Sequence, residues 1–162
     1  MLAVGVSGRY HQSPLDCVYL DMCRFKRPFD DQRQPRIRRE AEAVATLIEK
    51  AEQSQFALVR SPALLIENDA NPREDRRVAA ALWIDAAAVE VAHSSQVEGR
   101  ARELSTLGFG AIDALHVAYA EAAGARVLAT CDDHLAALGR RHNALLRTVL
   151  VNPVDLESGF PR

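Results

Sequence analysis

GAIDALHVAYAEAAGARVLATCDDHLAALGRR, residues 110 to 141, decides the fold. Gly110 opens a helix over AIDALHVAYAEAAGA, and Gly124 closes it, the residue best suited to the left-handed backbone that ends a helix. RVLATC then reads as a strand, DDHLAALGRR as a second helix, and LLRTVLV as a last strand. Strand and helix alternate, so the sheet they build should be parallel.

The same alternation extends upstream. CVYLD at 17 to 21 is a short β-rich run, apolar on both faces as a central parallel strand must be. From Arg36 to Gln53 the residues Ile37, Ala41, Val44, Ala45, Leu47 and Ile48 recur at helical spacing opposite Arg38, Glu42 and Glu49, which predicts an amphipathic helix. Phe56 to Val59 forms a second strand, and Ser61-Pro62 supplies an N-cap followed by proline at the first helical position. A helix from Arg73 to about Ala87, a third strand at Val89 to Ala92, and a helix from Ser94 to Leu107 complete the series. The expected class is α/β: a three-layer α/β/α domain over residues 15–152 with a central parallel sheet of about five strands. Residues 1–14 read as a flexible arm and 153–162 as a C-terminal tail.

The chain has 162 residues, enough for one domain with a proper core. Its formal net charge of -2 excludes a global polycation, so nucleic acid would have to meet a local basic patch. Arg24, Lys26, Arg27, Arg33, Arg36, Arg38 and Arg39 form such a cluster, or simply a solvated face. Cys17, Cys23 and Cys131 contain no CxxC pair, which argues against a disulfide framework or a zinc knuckle and fits a reducing cytoplasm. The long apolar run near Val78 is broken by Asp85 and Glu90, so no membrane-spanning segment is expected.

Four acids stand where charge is expensive. Asp21 ends the first strand, Glu67 lies beside Leu64, Leu65 and Ile66, Asp113 opens a helix that reads as buried almost all round, and Asp132 follows RVLATC. Burying an ionised carboxylate without a partner costs several kcal/mol or more, so a cluster of them implies a cation or shared protons. In a parallel α/β sheet, ligands gather at the carboxyl ends of the strands, and all four acids map to that edge. Each also has an ordinary explanation: Asp132 as the cap of the next helix, Asp113 as a first-turn residue favoured by the helix dipole. Asp133 is a rival to Asp132 as the fourth acid. Asp21 is the hardest to explain blandly.

YLDMCRFKRPFDDQ, SPALLIEND and GFGAIDALHVAYAEAAGARVLATCDDHL together resemble the PIN-domain family, over about residues 17 to 151. The resemblance implies a parallel sheet of about five strands between helices, and the activity of the VapC-like toxin ribonucleases of toxin-antitoxin pairs. By that likeness Asp21, Glu67, Asp113 and Asp132 hold Mg²⁺ or Mn²⁺, RNA is the substrate, a small antitoxin is the partner, and the protein is a homodimer. Arg24, Lys26 and Arg27 would steer the RNA backbone, and Thr130 resembles a threonine that supports the same pocket. Met22 departs from the family's usual threonine or serine after the first aspartate, and Lys26 stands where related sequences often have asparagine.

Other signals point elsewhere or nowhere. His116, three residues after Asp113, reads as a core or supporting residue, with ligand or base as alternatives. Gly108-Phe109-Gly110 lacks the third glycine of a dinucleotide loop. Cys131 and His134 suggest a soft-metal pair only if the oxygen ligands are ignored. A phosphoaspartate phosphatase would carry an aspartate where Cys23 stands. A catalytically silent PIN-like module that binds RNA or a protein remains the alternative of a different class.

Overall fold

The computed structural model of the chain describes residues 15–22 and 30–161. The arm expected over 1–14 lies outside them, as do Arg24, Lys26 and Arg27. In chain order the elements are β1 (Cys17–Leu20), α1 (Pro35–Glu52), β2 (Ala57–Arg60), α2 (Pro62–Asp69), α3 (Glu74–Asp85), β3 (Val89–Glu90), α4 (Ser95–Thr106), α5 (Ala111–Ala122), β4 (Ala125–Ala129), α6 (Asp133–Arg141) and β5 (Val149–Val151), with 3₁₀ turns at Asn143–Leu145 and Pro153–Leu156.

The five strands form one sheet in the order β3-β2-β1-β4-β5, and every pairing is parallel. From β1 the chain winds outward to the β3 edge, then crosses back to place β4 on the other side of β1. The carboxyl ends of β1 and β4 therefore flank the point where the winding reverses, the place where open α/β sheets leave a crevice for ligands.

The central strands carry the core. Val18, Tyr19 and Leu20 in β1 and Val127, Leu128 and Ala129 in β4 are all at most 1% exposed, so successive residues are buried whichever face they point to. Both faces must then be covered by helices, as the apolar runs implied. Burying a valine or leucine fully contributes roughly 1.5–3 kcal/mol, so these two strands are a large part of what holds the sheet. The edges read differently. Glu90 of β3 is exposed and pairs with Arg60, 3.1 Å away.

Local signals place the helices. Ser61 caps α2 by accepting from the Leu64 amide, with Pro62 behind it, and Ser94 caps α4 by accepting from Val97. Gly124 takes φ +69° after α5, a backbone conformation that side chains disfavour. The third strand is shorter than expected, only Val89–Glu90, and the last is confined to Val149–Val151, preceded by a 3₁₀ turn at Asn143–Leu145. Nor is α5 buried all round: Ala111 and Ile112 are exposed, because its first turn projects at the carboxyl edge of the sheet. Beyond residue 152 the chain stays on the domain. Leu156 is buried, and the Phe160 ring meets Phe56 edge-on at 5.5 Å under the Arg126 guanidinium.

No helix among the described residues is long and apolar enough to cross a membrane.

Candidate active site at the carboxyl edge of the sheet

Asp21 is the first residue past β1, and its amide donates to the Ala129 carbonyl at 3.2 Å, extending the β1–β4 ladder by one step. That bond fixes its backbone beside the end of β4, and the residue is 4% exposed. Thr130, the first residue past β4, is fully buried; its amide donates to the Val151 carbonyl at 2.8 Å, and its hydroxyl accepts from the Asp132 amide at 3.0 Å. The Asp132 carboxylate in turn accepts from the amides of His134 and Leu135, at 2.8 and 3.1 Å, and caps α6. Capping and membership of an acidic cluster are therefore compatible in one side chain. Its neighbour Asp133 faces outward, pairing through both oxygens with Arg36 at 2.6 and 2.8 Å.

Asp113 lies in the first turn of α5, half-buried, with one carboxylate oxygen over Gly110. The N-terminus of a helix favours negative charge. Even so, burial pushes the Asp113 carboxyl above the usual carboxylate value of 3.8; the charge of Asp132 pushes it further, and Asp21 and Glu67 add to the rise, while His116 opposes it. Three carboxylates from other elements thus act on Asp113 at this edge.

Glu67 reaches the cluster from α2. Its Oε2 receives a 2.8 Å hydrogen bond from Nε2 of His116, which is 2% exposed on α5. The Nδ1 of the same ring lies 2.7 Å from the hydroxyl of Tyr19, and that hydroxyl is 2.6 Å from Oγ of Ser61. Sequence reasoning assigned Ser61 a cap alone and Tyr19 nothing. One signal was available: a tyrosine inside a strand buried on both faces must find a partner for its hydroxyl.

The donor set is entirely hard oxygen, which suits Mg²⁺ or Mn²⁺ and not the soft-metal ions that Cys131 would prefer. Among the described residues no three His, Cys, Asp or Glu side chains stand close enough to grip an ion jointly. A cation here would therefore be held directly by only one or two of these carboxylates and would keep several waters, as Mg²⁺ commonly does beside phosphate substrates.

The architecture is also that of a known structure. The chain is similar to one in the crystal structure of VapBC2 from Rickettsia felis bound to a DNA fragment from their promoter, with a TM-score of 0.55 at 14% identity, covering 84% of this chain and 98% of that one. The fold is PIN-like. At this identity the likeness concerns the PIN-like architecture alone: three layers with a five-stranded parallel sheet. No family model and no curated protein matches the sequence.

Proposed function

We propose that the protein is a metal-dependent endoribonuclease that hydrolyses RNA phosphodiester bonds, the toxin of a toxin-antitoxin pair. The observation that carries this reading is that Asp21, Glu67 and Asp132, from three other elements, all raise the carboxyl of Asp113 at the carboxyl edge of the sheet, beside the β1/β4 switch point. Carboxylates gathered from four elements repel one another unless a cation or protons intervene. The likeness in fold to a chain of a VapBC2 assembly agrees with the VapC-like character of the motifs and supports a small antitoxin as partner. A homodimer in the cytoplasm belongs to the same proposal.

Asp21, Glu67, Asp113 and Asp132 would supply the ligands for Mg²⁺ or Mn²⁺, one or two of them gripping the ion directly and the others acting through its waters. When bound, such an ion would lower the pKa of a water and offset charge on the oxygens of an in-line displacement. The protein's own residues orient the site. Asp21 is fixed by the ladder bond to Ala129, Asp132 by the amides it caps and by Thr130, and Asp113 by the first turn of α5. Arg24, Lys26 and Arg27 attract the RNA backbone, the usual source of non-specific affinity. The products carry a 5′-phosphate and a 3′-hydroxyl.

The test is cleavage of a mixed set of labelled RNAs by the purified protein with Mg²⁺ or Mn²⁺, alongside EDTA and the Asp113→Asn variant. Cuts that vanish with chelation and with the substitution are expected. If no RNA is cut in either metal, the nuclease reading gives way to that of a silent binding module.

A further inference from the structure

The row of buried polar groups behind Glu67 does more than satisfy the core. Ser61, Tyr19 and His116 are each at most 2% exposed, and they come from the N-cap of α2, from the central strand β1 and from α5. Their polar atoms are spaced 2.6 Å from Ser61 Oγ to the Tyr19 hydroxyl, 2.7 Å from there to His116 Nδ1, and 2.8 Å from His116 Nε2 to Glu67 Oε2. The last of these is the only one whose acceptor reaches the acidic cluster.

Chemistry orders the protons along this row. A carboxylate accepts and does not donate, so the 2.8 Å contact requires the proton on His116 Nε2. In the neutral ring Nδ1 is then an acceptor, the Tyr19 hydroxyl donates to it, and the Ser61 hydroxyl donates to Tyr19. Every hydrogen bond points toward Glu67. Removing the tyrosine hydroxyl leaves Nδ1 buried without its donor, and the Nε2–H tautomer and the ring's orientation are then held by Glu67 alone.

Resting on the metal-nuclease reading above, we propose that Tyr19 and His116 are positioning residues for Glu67: they fix the tautomer that donates to its carboxylate and so hold that carboxylate for the divalent cation. Groups that orient a metal-binding side chain from behind commonly change metal affinity by about 10–100-fold when removed. A comparison lies on α5 itself, where the Tyr119 hydroxyl is 2.8 Å from Nδ1 of His93, a residue that is exposed where His116 is buried.

The experiment is calorimetric titration of the purified full chain with Mn²⁺, for wild type, Tyr19→Phe, Tyr119→Phe, Glu67→Gln and the Tyr19→Phe/Glu67→Gln double variant. Tyr19→Phe is expected to bind Mn²⁺ about tenfold more weakly or worse, Tyr119→Phe within about twofold of wild type, and Tyr19→Phe to have no further effect once Glu67 is Gln, since coupled residues are not additive. Equal binding by wild type and Tyr19→Phe overturns the positioning role and leaves the metal site intact. An undiminished effect of Tyr19→Phe in the Glu67→Gln background overturns its route through Glu67. A wild-type protein that takes up no Mn²⁺ removes the metal-nuclease reading, and this inference with it. Nitrogen-15 NMR of the wild-type ring needs no variant: the proton is expected on Nε2 of His116, and a proton on Nδ1 with Nε2 bare would also overturn the proposal.

Discussion

Among the neighbouring charges that raise the pKa of Asp113, that of Asp132 is the largest, second only to burial itself. The sign of the consequence is definite. A carboxyl that binds its proton more tightly when folded contributes stability while protonated, and loses it as pH rises from the ordinary value of 3.8 through the raised one. In EDTA, the melting temperature of wild type relative to Asp113→Asn should therefore fall as pH is raised from about 4 toward neutrality. At pH 7 the variant should be the more stable, since it carries no charge for burial and the neighbouring carboxylates to oppose. Paired thermal melts across that range check it; a difference independent of pH would mean that Asp113 does not bear the neighbours' charge.

Asp132 combines two roles that substitutions can separate. Asparagine is as good an N-cap as aspartate, whereas alanine forfeits the cap at a cost of about 0.5–2 kcal/mol. Asp132→Asn should keep the stability of wild type to within about 0.5 kcal/mol while losing a negative charge from the cluster, and with it metal-dependent cleavage. Asp132→Ala should lose both. Chemical denaturation beside the RNA assay reads the two effects separately; retained cleavage by Asp132→Asn would transfer the role to another acid.

The alternation of strands and helices was legible because each signal was local: Ser61-Pro62 before α2, Gly124 after α5, and uninterrupted apolar runs in β1 and β4. Parallel direction then assigns every strand end and helix start to one edge, and so places Asp21, Asp113 and Asp132 near one another without any contact being known. What sequence did not carry were partners made by the tertiary fold. Tyr19 meets Ser61 across 42 positions and His116 across 97, and Arg36 meets Asp133 across 97. No periodicity encodes such pairs. Glu40 on α1 is a similar case: its spacing from Ile37, Val44 and Leu47 puts it on the apolar face, where it is 1% exposed, but no spacing encodes Asn152, which with Arg36 bonds it at 3.0 Å.

Far from the acidic edge, Glu121 is held by Arg100 through two bonds of 2.7 and 3.1 Å and by the Arg147 amide at 3.0 Å, with its side chain 2% exposed. Arg100 also donates to the Leu145 carbonyl, so the pair ties α4, α5 and the turn before β5 together. Deleting one partner of a buried pair leaves an uncompensated charge and costs about 3–5 kcal/mol, whereas replacing both can be close to neutral. Arg100→Met should be strongly destabilising, and Arg100→Met/Glu121→Leu should recover most of the loss. A double-mutant cycle by urea denaturation decides it; additive losses would mean that the two side chains act independently.

Gly139 in α6 sets the distance between that helix and β5. A Cβ at this position would stand 2.5 Å from Cβ of Leu150 and 3.0 Å from its Cδ2, closer than carbon atoms approach. Two effects of Gly139→Ala compete. Alanine is favoured over glycine inside a helix by about 1 kcal/mol, while forcing an extra methyl into a packed contact costs about 1–3 kcal/mol. The clash should win, because the nearer atom is a Cβ anchored to the strand and not the end of a flexible side chain, so α6 or β5 must shift as a whole. Gly139→Ala is expected to lower the melting temperature, and Leu150→Ala to bring little relief in the double variant, because alanine keeps the Cβ that stands 2.5 Å from the added methyl. An Ala variant as stable as wild type would show that α6 can lift from the sheet at no cost. The cap at Asp132 begins the same helix, so such a shift should also weaken cleavage even though Gly139 lies two turns from the acids.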